Sequence, residues 1–407
     1  MNKETMNKTA KMTPNGMKYC IRFSCIAVSM LFAGGAFLQA FLAENGVSAE
    51  KISTLVAAMN TAQMVTILLF SSVVDRMKHV IGNSARFIAG MGVYFAVMAF
   101  LAFSGAASSG LLYGIALGAG VVLYIFYGLY AVSDYRLPYQ IIDMKDYAHV
   151  TGTCGVMGGA ISVGISALAA FLIASLPMNP VMGSLYLLSL FSLAGAVYMT
   201  KRLRPIPFAP SDISQKKHIG LLATLHLPMF WKLLLPNLMR GFNTGIIGMM
   251  ATIGMHEMGL TAAQTSAMAL VYTVMGVAGG YGFMRLSAKR SSASLCLFAG
   301  ILMAAAMPLL MLGKQFYFFL GLYAAVLFAM QLVDYTVPVI LVDLIPYECI
   351  GSFTSLRLGT HSGGIALGSM AVGIALSSGS SVLLLLFSGL LQLISSIVYY
   401  RSFQAKR

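Results

Sequence analysis

The strongest constraint on this chain is a series of apolar segments that recurs from residue 19 to residue 400. Each has about 18 to 25 residues, the length that an α-helix needs to cross a hydrocarbon core of about 30 Å. Of the 407 residues, 58% are hydrophobic and only 9% are charged, which is not the balance of a soluble globular domain. The sequence therefore predicts an all-α membrane protein with twelve transmembrane helices at 19–42, 53–74, 86–105, 109–132, 151–176, 181–200, 230–254, 264–284, 293–312, 316–337, 353–376 and 381–400.

The basic residues indicate which helix ends face the cytoplasm. The net charge is +14, but the lysines and arginines concentrate in alternate loops, and the other side holds only Lys51 and Lys314. This asymmetry follows the positive-inside rule and predicts that both termini are cytoplasmic. We expect a multi-pass protein of the plasma membrane, or of the cytoplasmic (inner) membrane in a bacterium. The basic excess is then a topology signal, and we expect lipid and not nucleic acid around the protein.

A long polar connection divides the helices six and six. It contains Pro205, Pro207 and Pro210, which make a helix unfavourable there. Two pairs of short segments repeat across it in the same order: ENGVSA at 44–49 with EMGLTA at 257–262, and DYRLPYQIID at 134–143 with DYTVPVILVD at 334–343. Because six is even, the two halves are predicted to be parallel repeats. The predicted parts are a cytoplasmic tail (1–18), a six-helix bundle (19–200), a cytoplasmic linker (201–228), a second six-helix bundle (229–400) and a second tail (401–407).

With this arrangement the chain resembles the major facilitator superfamily. The segment SSVVDRMKH at 71–79 is similar to the family signature G-x-x-x-D-R/K-x-G-R/K, with Asp75 and Arg76 in place and a serine where the family has glycine. LPYQIIDMKDY at 137–147 more weakly resembles the glycoside-pentoside-hexuronide cation symporters of that superfamily, whose acidic pair in the second helix is missing here. The resemblance implies the major facilitator fold, transport by alternating access, a gating role for Asp75 and a cavity lined by the first, fourth, seventh and tenth helices.

The sequence PNLMRGFNTG at 236–245 places a positive charge inside the seventh predicted helix. Arg240 lies about 13 Å beyond the interfacial residues at 1.5 Å per residue, and an unpaired charge at that depth costs at least ~2.5 kcal/mol. Asn237 and Asn243 are each three residues away and are predicted to share its face. Two interpretations stand side by side: the guanidinium binds a carboxylate or phosphate of a substrate, or it forms an internal pair or packs against backbone carbonyls.

Five uncharged side chains are further candidates for substrate contact, because amides and phenols hydrogen-bond a polar solute without burying a charge. They are Gln39, Tyr124, Tyr127, Tyr323 and Gln331, and for each one the alternative is ordinary helix packing.

The candidates for gating or ion coupling are charged residues near the predicted cytoplasmic ends. Asp134 and Asp334 open the repeated segment, where they either gate the transporter or cap helices and pair with neighbouring basic residues. Arg357 is a candidate partner for Asp75 across the two halves, and Arg76 belongs to the same signature. Arg22 is close enough to an interface that we expect its side chain to reach the membrane surface.

These residues predict a secondary transporter that moves a small organic solute, with an anionic group favoured by Arg240. A proton or sodium ion is the candidate coupling ion. The alternatives are a cation-coupled sugar or nucleoside symporter, a drug efflux antiporter and, in a different class, a transporter-like solute sensor. No phosphate-binding loop, metal-ligand spacing or nucleophile with a base is found in the sequence. We therefore expect no enzymatic activity, no cofactor and no metal, and we expect a monomer.

Overall fold

The computed structural model describes residues 12–74, 79–105, 108–134, 137–206, 226–312, 315–345 and 350–405. Those residues form helices and short connections. The helices are α1 (Pro14–Met30), α2 (Ala36–Glu44), α3 (Ala49–Val74), α4 (Val80–Ser104), α5 (Ser109–Asp134), α6 (Leu137–Ile141), α7 (Met144–Ser175), α8 (Met178–Lys201), α9 (Pro228–Gly248), α10 (Met250–Met258), α11 (Ala262–Ser287), α12 (Ser292–Leu309), α13 (Phe316–Leu344), α14 (Ile350–Ser378) and α15 (Ser381–Gln404).

Within the described ranges, nine helices are long and apolar enough to cross a membrane: α3, α4, α5, α7, α8, α11, α12, α13 and α15. The α1–α2 pair, the α9–α10 pair and α14 occupy the remaining places in the chain where a crossing is predicted. Counted this way, the helices make twelve crossings, and the predicted all-α architecture is confirmed.

The first and seventh crossings are each broken in the middle, and the prediction of continuous helices at 19–42 and 230–254 is wrong in this respect. The first crossing leaves helical geometry over residues 31–35, where Gly34 and Gly35 lie. The second break falls between Gly248 and Met250, and α9 continues past its internal proline, Pro236. Glycine has no side chain to support the helix at these points, and breaks at such depth occur where protein or a cavity surrounds the backbone.

The two copies of the repeated proline segment differ in structure. Helix α5 ends at Asp134, and Pro138 lies in the first turn of the short helix α6. In the second copy, α13 runs through Asp334 and Pro338 to Leu344. The first copy therefore follows a helix end, whereas the second lies inside a helix. A proline inside a helix removes one backbone hydrogen bond, and neighbouring helices can make up this loss in a membrane bundle.

Helix packing repeats between the halves. In the first half, α1 packs on α7 and α8, α3 on α5, and α4 on α8; in the second half, α9 packs on α14 and α15, α11 on α13, and α12 on α15. The halves meet where α3 packs on α14, α7 on α11, and α2 on α10 and α11. We call the end of the bundle at which α1 begins and α15 ends the near end, and the opposite end the far end.

Glycines bring α9 and α14 into close backbone contact. A Cβ on Gly364 would lie 2.7 Å from a backbone nitrogen of α9, closer than real Cβ atoms approach. Gly241, Gly245 and Gly368 meet the facing backbone in the same way. Small residues at this spacing allow helices in a membrane to pack tightly.

Candidate functional site

A cavity lies between the two halves, where the two broken crossings face each other. Its larger part has a volume of about 350 Å³ and its smaller part about 190 Å³. Both parts are lined by Gly34 and Gly35 from the first break, Gly248 from the second, and Tyr124 and Tyr272 from α5 and α11. Its walls therefore come from both halves of the chain.

The cavity wall carries hydroxyl, phenol and amide groups on an apolar background. Gln39, Asn60, Thr244 and Ser369 line the smaller part, and Tyr323 lines the larger part. None of the described lining residues is an Asp, Glu, Lys or Arg. Sites of this composition bind organic molecules, with apolar surface supplying affinity and a few polar groups fixing orientation.

Gln39 connects the halves at the second break. Its Nε2 donates to the carbonyl of Gly248, the last residue of α9, at 2.6 Å, and its Oε1 accepts from the backbone N–H of Thr252 at 3.1 Å and from the Thr252 hydroxyl at 2.9 Å. Helix ends leave such backbone groups without partners, and buried groups of this kind need one. One side-chain amide from the first half thus satisfies both sides of the break in the second half.

Ser53 makes a second connection between the halves at the far end. Its hydroxyl donates to the carbonyl of Ser369 on α14 and accepts from the backbone N–H of Gly373 at 3.0 Å. Ser53 lies four residues from the start of α3, and Gly373 lies five residues from the end of α14. With Gln39, it joins the halves on the far side of the cavity.

Arg240 lies in the second half, paired with Asp334. Its Nη2 is 2.9 Å and its Nε 3.1 Å from Asp334 Oδ1, and the two side chains are 9% and 31% exposed. Arg240 also contacts Asn237 Oδ1 at 3.4 Å. It does not line the cavity described above. Of the two interpretations from sequence, the geometry matches the internal pair.

The first half contains the same kind of ion pair. Arg22 on α1 lies 2.6 Å from Asp134 on α5, and its side chain is fully buried. It also donates to the hydroxyls of Ser84 at 2.9 Å and Thr200 at 3.0 Å. The expectation that Arg22 reaches the membrane surface is therefore wrong, because its polar partners lie inside the bundle.

The two ion pairs occupy equivalent places. Arg22 precedes Leu31, the residue that follows α1, by nine residues (31 minus 22), and Arg240 precedes Met249 by nine (249 minus 240). Each arginine binds the aspartate that opens the repeated segment of its own half. The duplicated sequence signal thus corresponds to a duplicated ion pair between the first and fourth crossings of each half.

The tyrosines of α5 connect the cavity with the first ion pair. Tyr124 lines the cavity, its ring centroid lies 6.0 Å from that of Tyr127, and Tyr127 stacks on Tyr130 at 5.9 Å. The Tyr130 hydroxyl donates to Asp134 Oδ2 at 3.2 Å, and the hydroxyl of Tyr19 does so at 3.3 Å. Tyr127 is therefore one layer removed from the part of the cavity that Tyr124 lines.

The other predicted site residues contact different helices. Asn237 donates to the carbonyl of Arg357 at 2.7 Å, and Asn243 donates to Gln392 on α15 at 3.2 Å. Gln331 packs against Gly279 on α11. Tyr323 stacks on Phe319 and lines the larger part of the cavity. The predicted set therefore divides into cavity residues and residues that hold the second half together.

Asp75 and Arg76 lie outside the described residues, and so does the predicted pair of Asp75 with Arg357. Sequence reasoning missed the cavity residues Tyr272 and Ser369, and it did not pair Arg22 with Asp134. The only sequence signal for the Arg22–Asp134 pair was the position of Arg22, nine residues before the segment that contains Gly34 and Gly35. No recognised motif includes this spacing.

Comparison with solved structures identifies the class of fold. A crystal structure of a D-xylose-proton symporter matches with a TM-score of 0.67 and 12% sequence identity, covering 94% of this chain and 96% of that chain. The structure of a bacterial metal transporter matches with a TM-score of 0.63 and 16% identity, covering 98% of this chain and 100% of that chain. No known family profile matches the sequence, and no curated relative does. The likeness shows the fold, and it confirms the predicted major facilitator fold.

Proposed function

We propose that this protein is a secondary transporter that carries a small organic solute through the cavity between its halves by alternating access. One observation carries the proposal: the cavity is walled by residues of both halves and by both helix breaks. A site in that place changes the side to which it opens when the halves rock against each other. Tyrosine, amide and hydroxyl groups favour an organic solute over a metal ion, which prefers carboxylate or imidazole ligands.

The ion pairs support a solute that binds away from Arg240. A guanidinium already held by Asp334 gains less from a substrate carboxylate than a free one, because the substrate must displace a charged partner. The geometry therefore favours an uncharged polar solute, and an anionic solute at Arg240 becomes the second candidate. Asp134 and Asp334 are proposed to hold the near ends of the first and fourth crossings of each half together, with a coupling proton or sodium ion as a further proposal.

The far-end contact between Ser53 and Gly373 allows a direct test of alternating access. A Cβ on Gly373 would lie 3.1 Å from the Ser53 Cβ, close to the range of natural disulfides. We expect the double variant Ser53→Cys/Gly373→Cys, made with the five native cysteines replaced by alanine, to form a disulfide that fixes the far end closed.

The measurement is counterflow of radiolabelled uridine, D-xylose and benzoate in proteoliposomes. The proposal is supported if oxidation of the double variant abolishes counterflow of one of these solutes and a reductant restores it. Each single-cysteine variant is the matched control, and its counterflow should not change when oxidant is added. Counterflow that continues through the cross-linked protein contradicts alternating access at this gate, and solute binding without any counterflow favours a sensor.

A further inference from the structure

The break in the first crossing leaves the start of α2 without a cap. Its N-cap residue is Gly35, which makes no side-chain hydrogen bond, and the first backbone bond within the helix runs from Gln39 N–H to the Gly35 carbonyl. The N–H groups of Ala36, Phe37 and Leu38 therefore have no acceptor within the helix. Gly35, Ala36 and Phe37 line the larger part of the cavity.

A second donor lines the same cavity independently. Ser369 on α14 is fully buried, and its hydroxyl has no hydrogen-bond partner among the residues that the structure describes. Ser369 and Gly35 both line the smaller part of the cavity. A buried hydroxyl without a partner is costly, and it is commonly explained by a ligand or water in the adjoining space.

The hydroxyl of Tyr124 completes this group of donors. It lies 2.7 Å from the place where a Cβ of Gly34 would be, so it lies directly against the break. Backbone N–H groups and a tyrosine hydroxyl thus adjoin one cavity, with the buried Ser369 hydroxyl beside it, and none of the described lining residues is charged.

This donor group is suited to an acceptor oxygen. The N-terminus of a helix carries partial positive charge and attracts electron-rich groups. A full anion here would lack a cationic side chain among the described lining residues, whereas a carbonyl or hydroxyl oxygen needs none. The rings of Tyr124, Tyr272 and Tyr323 provide flat apolar surface for the remainder of the solute.

We infer that the cavity binds an uncharged, ring-bearing solute, and that an acceptor oxygen of this solute docks on the open N-terminus of α2 beside Ser369 and Tyr124. The inference rests on the proposal that this cavity is the transport site, and it names the substrate class. Position 35 must carry no capping side chain, because such a side chain would occupy the donors that the solute uses.

A matched pair of variants at position 35 tests the role of the helix N-terminus. A Cβ on Gly35 meets no atom within 4 Å, and its backbone φ of −103° suits any residue. Gly35→Ser adds a hydroxyl that caps the α2 N–H groups internally, whereas Gly35→Ala adds the Cβ alone. We expect Gly35→Ser to bind the probe solutes about fivefold to tenfold more weakly than Gly35→Ala.

A second matched pair tests Ser369. Ser369→Ala removes this buried hydroxyl beside the cavity and should weaken binding about fivefold. Ser166→Ala is the control, because Ser166 is equally buried and its hydroxyl also lacks a partner among the described residues, but it does not line the cavity. A thermal unfolding scan of each variant without solute checks that loss of binding is not loss of fold.

The probes are uridine, benzamide, benzoate and benzylamine, titrated calorimetrically into the purified full chain. Binding of uridine or benzamide that is weaker in Gly35→Ser than in Gly35→Ala supports the inference. Tightest binding of benzoate or benzylamine, no binding of either uncharged probe, or equal binding by the two position-35 variants would overturn it. Binding with the expected variant pattern but no counterflow would contradict transport and leave this site assignment intact.

Discussion

Replacing Asp134 with asparagine is the sharpest test of the duplicated ion pair. The change keeps the shape of the side chain and removes its negative charge. Arg22 would remain fully buried with its hydrogen bonds to Ser84 and Thr200 but without a counter-ion. Removing one partner of a buried ion pair costs about 3–5 kcal/mol, because the remaining charge has lost its compensation.

The equivalent change in the second half should cost less. Asp334 is 31% exposed and Arg240 is 9% exposed, whereas Arg22 is fully buried. Because solvent screens the second pair, Asp334→Asn is expected to lower the free energy of unfolding by about 1–2 kcal/mol. The comparison between the two aspartates is informative because they hold the same position in the repeated segment.

Thermal unfolding in detergent measures the difference. An unfolding entropy of about 2.1 cal/mol/K per residue gives about 0.85 kcal/mol/K for the 407 residues. Asp134→Asn should therefore lower the melting temperature by about 4–6 °C, and Asp334→Asn by about 1–2 °C. The double variant Arg22→Gln/Asp134→Asn removes both charges and should recover most of the loss.

The reasoning would be refuted by either of two results. The first is a melting temperature of Asp134→Asn that equals that of the wild type. The second is a double variant that is as unstable as the sum of its single changes, because an uncompensated charge would then not be the cause. Arg22→Gln alone, which leaves Asp134 with its tyrosine donors, completes the cycle.

Three further substitutions test the packing around the cavity. Gly34→Ala should lower the melting temperature, because its Cβ would lie 2.7 Å from the Tyr124 hydroxyl, and Tyr124→Phe should remove most of that loss since the next ring atom is 3.8 Å away. Gly364→Ala should lower the free energy of unfolding by about 3 kcal/mol or more, because its Cβ would meet backbone atoms of α9 at 2.7 and 2.8 Å. The control is Gly164→Ala, whose Cβ meets no atom within 4 Å and which should leave the melting temperature unchanged. Gln39→Leu should lower the melting temperature by about 2–4 °C, because it leaves the backbone groups of the second break without partners; an unchanged value would show that they find other partners.

The architecture could be predicted from the sequence because it depends on patterns that extend over many residues. Apolar runs of spanning length and alternating basic loops specify the number of crossings and their order. The breaks at Gly34–Gly35 and at Gly248 were missed because hydropathy does not register a local loss of helical hydrogen bonds. Gly34, Gly35 and Gly248 count as ordinary residues of an apolar run, and their effect depends on neighbours that are distant in sequence.

The site was predicted less well because its residues act through partners on other helices. Arg240 was identified as an unusual charge at depth, and the sequence already contained its partner, Asp334, in the repeated segment. Pairing the two requires the rotation of α9 against α13, which residue spacing within one helix does not give. Gln39 and Tyr124 were chosen as candidates because polar groups in apolar helices are few, but only the fold places them on one cavity.

The two helix breaks give a reason why the proposed docking uses only one helix end in a chain with two similar halves. In the second half, Gln39 supplies from outside the cap that α10 lacks, by accepting the N–H of Thr252 and donating to Gly248. In the first half, α2 begins at a glycine and has no side-chain cap. Since the broken crossings are equivalent, this difference in capping decides which helix end remains available. A solute that docks on α2, as we propose, lies close to Gln39, whose side chain joins the two halves, so that binding and the proposed closure of the far end involve the same few residues.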